Sequence, residues 1–294
     1  MDTRKKIIVL VGGAGNSGKE FVSLCNDHSS DDYIIKRYSD IAFIFKEGVQ
    51  RCLFIDDGTD LTDADLVYFR GTSAEHIRHA VALFLNHNGV PMVNSESTNF
   101  QTTTKLEQYS ALALAGLPIP DSVFVNKPEY YQQAFDLLGT AFPIVAKSIS
   151  GSNGNDNQLV RSEEELEQLD MPLPIFQKFI PNTFDYRVIV AGDHVALSYK
   201  RIRSANKDDY KNNISQGGTR EAAELSEELQ EIAVRAAQTI GREFTGLDIM
   251  PNAETGEHVI LEVNFNFGTP HFKDVTIEQG YYEDITRYLR GLAR

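Results

Sequence analysis

The sequence predicts an α/β protein in which a doubly wound layer is followed by lobes that mix helices and strands. Over the first third, short apolar runs alternate with stretches of helical periodicity, as strands alternate with their crossover helices. Near residue 95 the texture changes, because 94–104 is a mainly polar stretch that ends in three threonines, as a domain junction would. At 294 residues, with 41% hydrophobic and 24% charged side chains, the chain is long enough for two domains or one large one and has an ordinary globular composition.

In chain order, the apolar runs 7–11, 33–38, 41–45, 53–55, 66–69 and 92–93 predict strands, with helices over 17–27 and 74–87. Asp56, Asp57, Asp60, Asp63 and Asp65 read as a solvated acidic connection. Thr104 and Glu107 have capping-box spacing and open a helix that closes at Gly116, before Pro118 and Pro120. Pro128 starts another helix, which Gly139 ends. The strand 143–149 runs into 150–157, eight residues without an apolar side chain, where a mobile loop is expected. Ser162 and Glu165 repeat the capping-box spacing ahead of a short acidic helix and the strand 175–179. Strands 186–191 and 195–199 flank a turn at Gly192 and Asp193. Ala222, Leu225, Leu229, Ile232, Ala233, Ala236 and Ile240 fall on one face of a long helix. Strands 245–250 and 259–263 close the pattern around a turn at 254–257.

Charge narrows the function. The 28 Lys and Arg against 42 Asp and Glu leave a net charge of −14, which lacks the basic field of a nucleic-acid or anionic-membrane binder. The acidity is uneven, since 178–220 holds eight Lys and Arg against four Asp and Glu. Cys25 and Cys52 form no C-x-x-C pair, and no stretch approaches 18 continuous apolar residues. A cytoplasmic protein without membrane or nucleic-acid partners is expected.

The most conspicuous short motif is ambiguous. Gly13, Gly15 and Gly18 have G-x-G-x-x-G spacing between a predicted strand and a helix, the context of a dinucleotide-binding turn. Gly13 to Lys19 also approaches a P-loop, but Glu20 stands where that motif needs a hydroxyl for magnesium. The third reading is a glycine turn that simply lets a strand meet a helix. Near the C-terminus, strand alternation turns Glu262 and Asn264 to one face, and pairing with 246–250 brings Asp248 beside them. Either carboxylate alone reads more simply as the polar alternate of a half-exposed strand, but the three oxygen donors together, followed by Asn266 and Gly268, suit magnesium. Lys147 ends an apolar strand just before the small-residue loop, as a phosphate clamp or as a plain surface lysine. Arg187, Lys200, Arg201 and Arg203, with Asn213, Gly217 and Gly218 downstream, together suit a triphosphate. There is no G-x-S-x-G elbow and no H-E-x-x-H.

The order of these parts over roughly 90–270 resembles the ATP-grasp superfamily of carboxylate-amine ligases, especially its RimK-like and glutathione-synthetase-like branches. The matching features are the lysine-led helix 105–116, the strand 143–147 with its loop, and the hinge at Gln177, Lys178, Phe179 and Ile180. Asp185 and Arg187, Lys200 and Arg201, Asn213 with Gly217 and Gly218, Gly246 and Asp248, and Glu262 and Asn264 follow in the same order.

The resemblance implies an ATP-grasp fold with a Rossmann-like preceding domain at 1–95, a small lid lobe at 96–180 and a C-terminal lobe with the metal site at 181–294. It implies an ATP-dependent carbon–nitrogen ligase that forms an acyl phosphate and releases ADP and phosphate. Lys105 and Lys147 would hold phosphates, with Ser152 in the loop that closes over them. Gln177, Lys178, Phe179 and Ile180 would take adenine, and Asp185 the ribose. Arg187, Arg201 and Asn213 would face the transferring phosphate. Asp248, Glu262 and Asn264 would bind magnesium, or manganese in its place. The substrates would be a small-molecule or peptide carboxylate and an amine, and relatives often form homo-oligomers. The residues alone also admit an NAD(P)-dependent oxidoreductase built on Gly13 to Gly18, or a non-catalytic ATP-binding regulator. The family usually continues past Asn264 with small residues and proline-glycine, whereas Phe265, Asn266, Phe267 and Gly268 stand here.

Overall fold

A computed structural model of the chain describes residues 4–294 apart from 14, 47–48, 72–73, 96–103, 150–156, 203–218, 271 and 273. The predicted loop 150–157, all but its last residue, and the segment with Arg203, Asn213, Gly217 and Gly218 lie outside the described residues.

Strands β1 (Lys6–Val11), β2 (Asp32–Arg37), β5 (Leu66–Phe69) and β6 (Met92–Val93) form a parallel sheet in the order β2-β1-β5-β6. β1 reads as an unbroken apolar run because both faces are covered. Ile7 and Val9 pack on α1 (Asn16–Asp27) and on the C-terminal helix α7 (Val275–Leu292), while Ile8 and Leu10 face α2 (Glu75–His87). The hairpin β3 (Ile41–Lys46) and β4 (Val49–Phe54) packs through Cys52 and Phe54 on that second side. Gly18 brings α1 onto the sheet, since a Cβ there would lie 2.9 Å from Val11 Cγ1.

Two antiparallel sheets follow. One has the order β7-β10-β8-β9, from β7 (Ser122–Phe124), β8 (Ile144–Ser148), β9 (Asn157–Val160) and β10 (Pro174–Lys178). Helices α4 (Tyr131–Leu138) and α5 (Glu163–Glu167) cover it through Tyr131, Ala134 and Leu166. The other has the order β13-β12-β11-β14-β15, from β11 (Phe184–Ala191), β12 (His194–Ile202), β13 (Thr219–Ala222), β14 (Phe244–Pro251) and β15 (His258–Asn264). Its inner face packs on α6 (Glu227–Ile240) and α3 (Lys105–Leu114) through Val188, Val190, Leu247, Ile249 and Ile260.

The predicted elements are present with three differences of physical interest. The long helix starts at Glu227, because the Ser226 side chain accepts from Leu229 N–H and caps it, leaving Ala222 in the edge strand β13. At α5, Ser162 caps Glu165 N–H as expected, but the Glu165 carboxylate accepts from Arg161 N–H. The acidic connection is not simply solvated, for Asp56 and Asp57 both pair with the largely buried Lys36, at 2.9 and 2.7 Å. Asp60 takes Thr62 N–H and Arg51, and Asp65 accepts from Lys6 N–H.

The parallel sheet and the five-stranded sheet share an apolar core, and a buried residue just past β6 adds hydrogen bonds between them. Asn94 has a left-handed φ of 56°. Its side chain pairs with Phe244, the first residue of β14, which extends past the end of β15, donating to Phe244 O at 2.7 Å and accepting from Phe244 N at 3.0 Å. Its backbone is held by the Glu243 carboxylate and by Arg242. Asn94→Ala would leave two buried backbone groups unpaired and put alanine at positive φ, so urea unfolding is expected to show a loss of about 3 kcal/mol at unchanged slope. A loss below about 1 kcal/mol would contradict this anchoring.

Candidate functional site

Residues directly opposite one another in adjacent strands share a face. The register sets Asp185 against Arg201, Arg187 against Asp248, Asp248 against Glu262, and Gly246 against Asn264. These side chains therefore project from one face of the five-stranded sheet. Between β14 and β15 the pairing slips at Asp248 and Ile249, so that Ile249 opposes Ile260 and Leu261 is the extra residue. The bulge sends Ile249 and Ile260 into the core while both carboxylates stay in the cleft.

The charges are tightly engaged. Arg187 Nε donates to Asp248 Oδ1 at 2.6 Å, and Arg201 Nη2 lies 3.0 Å from Asp248 Oδ2. Arg201 Nε donates to Asp185 Oδ1 at 2.6 Å. Burial would raise the Asp248 carboxyl, but Arg187 and Arg201 outweigh it and hold the group below its ordinary value. Asp185 goes the other way, raised by burial and by the like charge of Asp248 despite Arg201.

Helix α3 closes the open edge of β15. Its capping box at Thr104 and Glu107 starts the helix at Lys105, and positions i, i+3 and i+4 put Lys105, Gln108 and Tyr109 on one face. Gln108 pairs its amide with both backbone groups of Val263, at 3.0 and 2.9 Å, much as another strand would. Tyr109 Oη donates to the bulge carbonyl of Leu261 at 3.0 Å, and Lys105 Nζ stands 3.5 Å from Glu262 Oε1. Gln108 and Tyr109 carry no sequence motif. The signal available was their shared face with Lys105.

The four-stranded sheet supplies the facing wall. Lys147 and Gln177 lie on the same face of β8 and β10 and are both buried. Burial pushes the Lys147 ammonium down to about 8, against the opposing pull of Glu262 and Asp248. The remaining sequence candidates are more dispersed. Lys178 is exposed, with Asp121 at 3.9 Å, Phe179 is half-buried, and Ile180 is buried. Lys200 projects opposite to Arg201 and stacks on Phe184, so the basic group read as one unit is divided between two faces. Ser152 and Asn213 lie outside the described residues.

A magnesium ion needs only one or two protein carboxylates, completing its shell with water and phosphate oxygens. Asp248 and Glu262 supply two. Among the described residues, the buried Asn264 Nδ2 has no hydrogen-bond partner, which leaves its amide uncommitted to them. The donor set fits the ion, and among the described residues no cluster of three His, Cys, Asp or Glu offers a different metal cage.

Past Asn264 the aromatic departure is structural. Phe267 lies on Gly246, where a Cβ would come within 3.0 Å of its ring, and Arg70 donates to Phe267 O at 2.8 Å. Phe265 turns to the opposite core, against Arg242.

Comparison with known proteins fits this geometry. The RimK-like ATP-grasp domain family matches residues 102–282. The chain belongs to that family. It is 30% identical over 296 residues to the tetrahydromethanopterin:alpha-L-glutamate ligase of Methanosarcina acetivorans, spanning 88% of this chain and 87% of that one. It is 26% identical over 246 residues to the alpha-aminoadipate–LysW ligase LysX of Sulfurisphaera tokodaii, spanning 80% and 82%. Among solved structures, the ATP-grasp ligase PsnB, complexed with a variant minimal precursor, Mg and ADP, superposes with a TM-score of 0.73 at 20% identity, over 99% of this chain and 100% of that one. The chain is thus an ATP-grasp ligase, and the oxidoreductase and regulator alternatives find no support. Among the described residues, no helix is long and apolar enough to cross a membrane.

Because Lys147 is charged below about pH 8 and neutral above it, an anionic nucleotide is expected to bind more weakly as pH rises from 7 to 9. Calorimetry with ADP and magnesium at pH 8.5 should then show uptake of up to about one proton, which Lys147→Arg abolishes. Proton-neutral binding by the wild type would contradict the reading.

Proposed function

We propose that this ATP-grasp ligase activates a substrate carboxylate by transfer of the γ-phosphoryl group of ATP, and that an amine then attacks the acyl phosphate, forming an amide and releasing ADP and phosphate. The observation that carries this is the convergence of Lys105, Lys147, Arg187, Arg201, Asp248, Glu262 and Asn264 on one cleft between two sheets. No side-chain nucleophile is required, since phosphoryl transfer depends mainly on positioning and charge.

Asp248, Glu262 and Asn264 are the residues that would hold magnesium, or manganese, which when bound neutralises phosphate charge. Lys105 and Lys147 would bind the polyphosphate, and Ser152, outside the described residues, is a further candidate for that role. Arg187 and Arg201 reach the same cleft and are placed to stabilise charge on the transferring oxygens, a task shared with Asn213. Arg201 also orders Asp185, the candidate ribose contact. Gln177, Lys178, Phe179 and Ile180 form the candidate adenine hinge. On this reading the nucleotide would lie between 96–180 and 181–294, with 1–95 contributing to the substrate side.

The relatives' names join glutamate or aminoadipate to another molecule, which supports an amino acid as the amine substrate. The precursor peptide in a further complex of PsnB supports a peptide as a second class of substrate. A cytoplasmic setting and a homo-oligomeric state belong to the same proposal.

Asp248→Asn and Glu262→Gln are expected to lower turnover by at least about a hundredfold with the fold retained. The assay is release of ADP and phosphate in the presence of pooled amino acids, peptides and small acids, with mass spectrometry of the product. Wild-type rates in both variants would sink the metal assignment, and release of AMP and pyrophosphate would sink the acyl phosphate.

A further inference from the structure

Gln177 sits on the cleft face of β10 and is only 2% exposed. Its Nε2 donates to Tyr109 Oη at 3.0 Å and to Ser122 Oγ at 3.2 Å. Both hydroxyls have already committed their single protons to carbonyl oxygens, which can only accept. Tyr109 donates to Leu261 O at 3.0 Å, and Ser122 donates to Pro120 O at 2.8 Å. Burial pushes the Tyr109 phenol up to about 12, so its proton stays in place. Each hydroxyl oxygen is left as an acceptor, which forces the NH2 side of the Gln177 amide toward the pair. With both N–H groups spent, Oε1 is the one remaining polar atom of the side chain, and it makes no hydrogen bond among the described residues.

An amide is ambiguous to a ligand, because it offers a donor or an acceptor according to how it flips. A carboxylate in the same place would offer acceptors only and would need no such arrangement. We propose that Tyr109 and Ser122 set the base specificity of the nucleotide site by locking Gln177 with Oε1 as the only group left to the base, so that the site takes a 6-aminopurine nucleotide and rejects a 6-oxopurine one. The 6-amino group donates to Oε1, whereas a 6-oxo group would set two acceptors against each other. The inference rests on the nucleotide reading above and extends it to residues that touch no part of the nucleotide. Tyr109 also holds the bulge beside Glu262, so Ser122 is the position at which the lock can be loosened without disturbing the carboxylates.

The test compares ADP and inosine diphosphate, which differ at the 6-position, by calorimetry with magnesium and the full chain. The wild type is expected to prefer ADP by roughly ten- to hundredfold, the range of one satisfied hydrogen bond against one opposed pair. In Ser122→Ala one of the two acceptors that hold the amide is lost, so turning it opposes one acceptor pair rather than two, and the preference should fall at least about threefold through a gain in inosine diphosphate affinity. Ser122→Thr restores the hydroxyl and should restore the preference. Equal affinities in the wild type, or a ratio unmoved in Ser122→Ala, would overturn the lock while leaving the nucleotide site standing. A uniform loss of both nucleotides in Ser122→Ala would likewise assign the serine a structural role and overturn it. A wild type that binds neither nucleotide would overturn the nucleotide reading itself, and the lock with it.

Discussion

The Asp248 carboxylate, held between Arg187 and Arg201 on a buried sheet face, is the constraint from which the rest of the site follows. Charges removed from water are tolerated only with paired partners, and removing one member of such a set typically costs about 3–5 kcal/mol. Here the set extends to Asp185 through Arg201, and Glu262 has its own cation in Lys105. Well-packed apolar side chains would serve stability as well or better. The network suits the proposed role, in which the carboxylates would serve a cation and the guanidinium groups phosphate oxygens.

Backbone features make that arrangement affordable. The bulge at Leu261 turns Glu262 beside Asp248 without exposing the apolar residues that precede it in the pairing. The edge strand β15, which bears the candidate metal ligands, would otherwise present open backbone groups, and α3 covers them with the side chains of Gln108 and Tyr109. The same helix begins at Lys105, whose N–H donates to Ile149 O just past the end of β8. One short helix thus ties the strand that carries Lys147 to the strand that carries Glu262.

Much of this was legible because it depends on local period. Alternation alone turned Glu262 and Asn264 to one face, glycine and proline marked the ends of the helices, and the capping box fixed the first residue of α3. What was not legible depends on register and on contacts between distant segments. That Arg187 stands opposite Asp248 requires the pairing of β11 with β14, and that Lys200 faces away from Arg201 makes sense only once β12 is placed. The bond from Tyr109 to Leu261 spans 152 residues and leaves no mark on either segment. The charged loop misled for a related reason, because the lysine that neutralises Asp56 and Asp57 lies at the end of another strand. The glycine motif near the N-terminus is accounted for at Gly18 by the close approach of α1 to β1.

If Asp248 and Glu262 act on the nucleotide through a cation, their charge must help binding when the cation is present and oppose it when it is absent. The most direct measurement is ADP affinity for the wild type and Glu262→Gln, each with excess magnesium and with chelator. The effect of the substitution is expected to change sign, with the variant binding ADP more weakly than the wild type in magnesium and more tightly in chelator. An effect of the same sign under both conditions would contradict the account.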